Sequence, residues 1–256
     1  MSAIAPLAFV TVDGELFPAS SWVVEESLAS PAAVARVELG PSSGVPAVPE
    51  GARVEVHAGT TDLGVELVFS GVAQSPARYE QVAVFARDSV ADALVRTPVT
   101  RGWMRSRPGV VASDLCSAAG VSLDESSIAL LGGLPERLRW VCRGLPALEG
   151  LREMLAGYGR PEWRVLCDGA VGGGVWIGPE SLVPAAASVV QLGAASVLAA
   201  ELADGNTQVS RATVVPGLGW RRGVTLVADG RAGIVTRVRR SGGARSVVEV
   251  EWRWKS

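Results

Sequence analysis

Gly40-Pro-Ser-Ser-Gly44 has the Gly-x-Ser-x-Gly spacing of a nucleophile elbow, the turn that lifts a serine hydroxyl above a sheet for acyl transfer. That chemistry needs a buried strand before the serine, a helix after it and a histidine base. Here Val45-Pro-Ala-Val-Pro-Glu50 follows, and its two prolines oppose a helix. The one histidine, His57, comes soon after, although elbow hydrolases place theirs last. It falls in a segment that reads as a strand, with Arg53 and Glu55 on its own polar face. The serine is therefore read as part of a loop, and His57 as a solvated or interfacial side chain with no partners for general-base work. Glu25-Glu26 offers two carboxylates, but neighbours on a strand point to opposite faces and cannot flank one bond. Gly169-Ala-Val-Gly-Gly-Gly174 has the glycine content of a phosphate loop without its lysine or its strand-to-helix setting, so it reads as a hairpin tip. Cys116, Cys142 and Cys167 show no Cys-x-x-Cys spacing, and one histidine completes no metal set. No catalytic, cofactor-binding or metal-ligating residue is assigned. The chain is expected to turn over no substrate and to carry no cofactor.

Composition narrows the partners. The chain has 256 residues, 48% of them hydrophobic, enough for a sizeable core and for one large or two to three small domains. A net charge of −2 gives no reason to expect specific nucleic-acid binding. Lys255 is the only lysine, a bias that reads as a codon signature. Three scattered cysteines suit reduced thiols in a protein folded in a cytoplasm. The N-terminus lacks a basic region followed by a long apolar run, so no signal peptide is expected. The longest apolar stretch, Leu182 to Ala203, is broken by Pro184, Gln191, Gly193 and Glu201, and no membrane span is expected.

The elements that would position these residues fall into three regions. Residues 1–88 read as a first β-barrel domain. Leu7 to Val12 meets the hairpin signal Asp13-Gly14, and strands follow at Trp22 to Leu28, Ala33 to Leu39, Arg53 to Ala58, Leu67 to Ala73 and Gln81 to Ala86. Residues 89–180 read as a small α+β insert. Its first helix runs from Val110 to Ala119, with Val111 and Leu115 inward, and stops at Gly120. A second, Pro146 to Tyr158, turns Leu148, Leu151 and Leu155 inward. A hairpin pairs Trp163 to Asp168 with Gly174 to Gly178. Residues 181–256 return to strands and form a second β-barrel domain. Segments starting at Val214, Gly230 and Ser246 read as three strands joined by glycine turns.

In the last strand Val248, Val250, Trp252 and Trp254 share one face, while Glu249, Glu251, Arg253 and Lys255 share the other. A large aromatic face on a terminal strand has to be covered. Val248 and Val250 are expected to seal the barrel, and Trp252 or Trp254 to reach a neighbouring subunit, since tryptophan and arginine anchor interfaces. Arg221 and Arg222, in a basic run that continues at Arg237, Arg239 and Arg240, read as a solvated or subunit-contact face.

Taken in order, these segments resemble the baseplate hub proteins of contractile phage tails, the late-control-protein-D group, and the hub half of the VgrG spike proteins of type VI secretion. Val12-Asp-Gly-Glu15, Trp22, Pro49 to Val56 and Phe69-Ser-Gly-Val72 resemble a first tube-like barrel. Ala86 to Ser89, Val110 to Val121, Leu148 to Leu155, Trp163, Asp168-Gly169 and Val175 to Gly178 resemble the insert. Val215 to Trp220, Gly233 to Val238 and the final strand resemble the second barrel. The resemblance implies a mainly β chain with two tail-tube-like antiparallel barrels flanking a small α+β domain. It implies a homotrimer that adapts a sixfold tail tube to a threefold central spike. Its partners would be the tail tube protein, the central spike protein and other baseplate proteins. Such a chain would be made in a host cytoplasm and would end up in the virion or injection particle. A particle-associated cell-wall hydrolase and a carbohydrate-binding β module are the alternative readings.

Overall fold

The computed structural model describes residues 6–17, 19–39, 48–60, 64–74, 82–170, 173–193, 197–201, 209–214, 219–228, 230–243 and 246–254. The Gly40 to Gly44 motif, Val171, Gly172, Val215 to Leu218 and Lys255 lie outside them. The chain divides into two compact units. One comprises Met1–Ala29, Ala33–Arg87 and Pro184–Ser256; the other comprises Ser30–Ala32 and Asp88–Val183.

The first region is built from β1 (Pro6–Val12), β2 (Glu15–Phe17), β3 (Ala19–Ser27), β4 (Val34–Leu39), β5 (Arg53–Thr60), β6 (Gly64–Ala73) and β7 (Val82–Asp88). Val12 pairs with Glu15 across Asp13 (φ 50°) and Gly14 (φ 83°), two left-handed residues as a twisted two-residue hairpin requires. Asp13 also ties this turn to β5, accepting a hydrogen bond of 2.8 Å from the Arg53 amide. The strict alternation read in β5 holds: Val54 and Val56 are buried, while Arg53 is exposed and Glu55 and His57 are half-buried. The inner faces of β1 and β3 to β7 meet in one core that includes Val10, Trp22, Val24, Val56, Phe69 and Val84.

The second unit alternates helices and strands: α1 (Ser89–Arg96), β8 (Pro98–Ser106), α2 (Pro108–Ala118), β9 (Ser122–Leu123), α3 (Glu125–Gly132), β10 (Arg137–Pro146), α4 (Ala147–Gly157), β11 (Trp163–Asp168) and β12 (Gly174–Pro179). Asp88 caps α1, its carboxylate accepting from the Val90 and Ala91 amides and, through the other oxygen, from Gly169 at 2.7 Å. Helix α2 ends where Gly120 turns left-handed (φ 70°), and α4 buries Leu148, Leu151 and Leu155 as its spacing predicts. β11 and β12 form the expected hairpin, with β9 added in parallel. β8 and β10 pair with each other in a separate two-stranded sheet.

Two 3₁₀ turns (Glu180–Leu182 and Pro184–Ala187) lead into β13 (Val189–Gln191), β14 (Val197–Glu201), β15 (Val209–Val214), β16 (Thr225–Ala228), β17 (Arg231–Gly242) and β18 (Val247–Trp254). Of the strand expected from Val214, residues 215–218 lie outside the described residues; 219–224 form no strand, and β16 begins at Thr225. Val214, Trp220, Leu226, Val235, Val250 and Trp252 belong to this region's own core.

The two β regions share one 13-stranded sheet in the order β14-β15-β18-β17-β3-β4-β7-β6-β5-β1-β2, with β16 on β17 and β13 on β16. The link is β17. Its first half pairs with β16 from Ile234 back to Arg231; its second half pairs with β3, from Arg237 opposite Ser27 to Gly242 opposite Trp22. The architecture is mainly β with an α+β insert, two β regions each with its own core, antiparallel except where β13 joins β16 in parallel.

Candidate functional site

The charged residues singled out in the sequence converge on the β3–β17 seam. β3 alternates, so Glu25 and Glu26 point to opposite faces as expected. Glu25 meets Arg237 at 2.7 Å on the outer face, and Arg237 also reaches Glu251 of β18 at 3.4 Å. Arg239 pairs with Glu249 at 2.8 Å on the same side. Glu26 turns inward and meets Arg240 at 2.5 Å, both side chains less than a tenth exposed. Arg240 also donates to the Trp220 carbonyl, and Arg222 donates to the Ser27 carbonyl at 3.0 Å. Burial pushes the Glu26 carboxyl up, but the charges of Arg240, Arg222 and Arg221 and the hydrogen bond from Arg240 outweigh it, and the net effect is below the ordinary value. Glu26 is therefore ionised, and its surroundings are cationic. This is the electrostatics of a structural clamp, since the carboxylate's charge is already taken up by guanidinium groups of the same chain.

The four residues expected at a subunit interface divide. Trp252 is fully buried in the core of the second β region, and Arg222 is buried at the seam. Arg221 and Trp254 are only partly buried. Trp254 stands edge-on to Trp252 with centroids 5.7 Å apart, and the Arg231 guanidinium lies 4.7 Å from its ring centre. Val248 and Val250 are buried in the same core.

The other candidates stay apart. His57 stacks on Phe9 at 4.5 Å and lies 3.7 Å from Glu55 across the outer face of the first sheet. Cys116, Cys142 and Cys167 are all buried, and burial pushes the Cys116 thiol up to about 12, the reverse of an activated nucleophile. Among the described residues no group of three His, Cys, Asp or Glu side chains could hold a metal ion. A cavity of about 220 Å³ beside the seam is lined by Trp22, Gly59, Val65, Trp220, Arg240 and Val248. Among the described residues its charged lining is Arg240, already engaged by Glu26, and the exposed Glu66. No helix among the described residues is long and apolar enough to cross a membrane.

Sequence reasoning missed the Glu26–Arg240 clamp. Its partners lie 214 positions apart, and a carboxylate in an alternating strand carries no local sign of which distant arginine it will meet.

No protein-family model matches the chain, and no curated protein matches it by sequence. Solved structures do match its fold. A 43 kDa tail protein of prophage MuSo2 from Shewanella oneidensis superposes with a TM-score of 0.70 at 11% identity, over 97% of each chain. A tail protein from Neisseria meningitidis MC58 gives 0.67 at 11% identity, over 97% of this chain and 96% of that one. The E. coli c3393 protein, a type VI secretion component described as structurally similar to the T4 tail proteins gp27 and gp5, gives 0.63 at 11% identity, over 96% of this chain and 77% of its own. The fold is that of phage tail proteins from end to end, as the order of segments implied.

Proposed function

We propose that this protein is a structural hub of a contractile tail or injection particle. It acts as a homotrimer, joins the sixfold tail tube to the threefold central spike, and catalyses no reaction. The observation that carries this reading is the union of two β regions, each with its own core, on one sheet within one compact unit. Three such chains bring six β modules to a ring while keeping threefold symmetry, which is what a junction between a sixfold and a threefold object needs. The end-to-end match to tail proteins supports it. So does the clamp at the seam, which fixes one module against the next. Tube protein, spike protein and other baseplate proteins are the partners, and the particle is the final location.

Light scattering of the purified chain, alone and mixed with its tube and spike proteins, tests the reading. The expected mass is three times the 26.5 kDa chain. A monomer under every condition sinks it. Clearing of a peptidoglycan suspension by the purified chain would favour a cell-wall hydrolase instead.

A further inference from the structure

The two-stranded ribbon of β8 and β10 has two unlike faces. Residues directly opposite in an antiparallel pair share a face. Trp103 and Trp140 are opposite, as are Arg101 and Cys142, and this face turns toward the helices. Trp103 is buried and donates to Asp114 of α2 at 2.7 Å, and Arg101 meets the same carboxylate at 3.0 Å. The other face carries Arg139 opposite Met104, Val141 opposite Gly102, and Arg143 opposite Thr100. Gly144, left-handed at φ 69°, donates its amide to the Thr100 hydroxyl at 3.0 Å and holds the irregularity that follows Arg143.

The ribbon that carries this face is unusually basic for this chain, and of its arginines Arg139 and Arg143 stand on the outer face itself. Over Pro98 to Arg107 and Glu136 to Pro146 six arginines face the single acid Glu136, although the whole chain is at −2. Elsewhere among the described residues exposed arginines meet acids, as in Arg36–Glu38, Arg53–Glu55 and Arg239–Glu249, or a ring, as Arg231 meets Trp254. Among the described residues, the arginines with no ion pair, side-chain hydrogen bond or ring contact are Arg105, Arg107, Arg139 and Arg143, all exposed and all in or beside this ribbon. Met104 is 70% exposed on the same surface. Beside Val141, Gly102 leaves a notch: a Cβ there would meet nothing closer than 3.8 Å.

We infer that the outer face of the β8–β10 ribbon docks an acidic, partly apolar segment of another protein. Carboxylates meet Arg139 and Arg143, and an apolar side chain between them sits on Val141 over the Gly102 notch, beside Met104. Charge complementarity selects the partner's sign, and the exposed apolar atoms supply the area that a purely ionic contact lacks. A nucleic acid fits less well, because the face has no aromatic ring on which a base would stack; Trp103 and Trp140 belong to the other side. The inference holds for the insert whether or not the chain is a hub.

The test uses the full chain and a fluorescein-labelled peptide, Glu-Leu-Glu-Val-Glu-Leu-Glu, followed by anisotropy at low salt. A glutamine-for-glutamate peptide and single-stranded oligothymidylate are run in parallel. Binding of the acidic peptide is expected, with none of the glutamine version. Arg139→Gln with Arg143→Gln should weaken it about tenfold, and Met104→Ser should weaken it severalfold with circular dichroism unchanged. Absence of peptide binding overturns the inference, as does binding indifferent to both arginine changes. So does oligothymidylate binding that the arginine changes weaken equally and Met104→Ser leaves alone, which would assign the face to polyanions. Arginines that merely shield the ribbon's edges from aggregation would give the first of these results.

Discussion

Glu26 ties stability to acid. Its carboxyl lies below the ordinary value of 4.5 in the fold because three guanidinium groups outweigh its burial. A group depressed in this way contributes fully above the unfolded value, and its contribution is lost as pH falls through the folded one. Glu26→Gln leaves Arg240 buried without its counter-charge and should cost about 3–5 kcal/mol at neutral pH. Urea titrations should show the gap between wild type and variant narrowing below about pH 4.5; parallel curves across that range would show that the clamp does not set the acid limit. The two terminal tryptophans call for different treatment. Trp252→Ala empties a fully buried site and should cost about 3–5 kcal/mol, so it reports on folding. Trp254 is partly exposed and rests on Trp252 and Arg231. Trp254→Ala should leave far-UV circular dichroism unchanged and lower the mass of the assembled species if its ring reaches a neighbouring subunit. Unchanged assembly would confine Trp254 to its own strand.

At the scale of elements the seam depends on a missing side chain. A Cβ on Gly242 would sit 2.3 Å from the Trp22 indole nitrogen, and Trp22 is buried in the first core. Gly242→Ala should therefore cost about 1–3 kcal/mol through forced movement of that ring, read as a lower Tm. Gly102→Ala, whose Cβ would make only ordinary contacts at 3.8 and 3.9 Å, should lose nothing. A Gly242→Ala variant as stable as wild type would mean that Trp22 repacks freely. What the sequence made legible follows the same division between local and distant. Asp13-Gly14, the alternation of Arg53 to Ala58 and the inward leucines of α4 depend on neighbours a few positions away, and each is found as read. β8 went unread because arginine or glycine stands at positions on both of its faces, so no period of two survives there, and β10 is broken by its irregularity after Arg143. Helix α1 went unread for its brevity, although Asp88 as a cap, Val90, Ala91 and Leu94 inward and Arg96 in the last turn are signals that would have found it. The seam had no local signal at all.

For the whole molecule, the reach of β17 has a consequence for how the protein is made. Among the described residues the core of the first region comes from Val10 to Ala86, so its side chains can begin to gather early in synthesis. The free edge of β3 cannot be covered until Arg237 to Gly242 exist, some 214 residues after Glu26. At a translation rate of about 5–20 residues per second this leaves the edge open on the order of 10–40 s. Through that interval β3 presents unpaired amides and carbonyls, together with two glutamates that await distant arginines. Those early negative charges repel a second nascent β3, and they keep the strand available for the one late segment whose arginines match it.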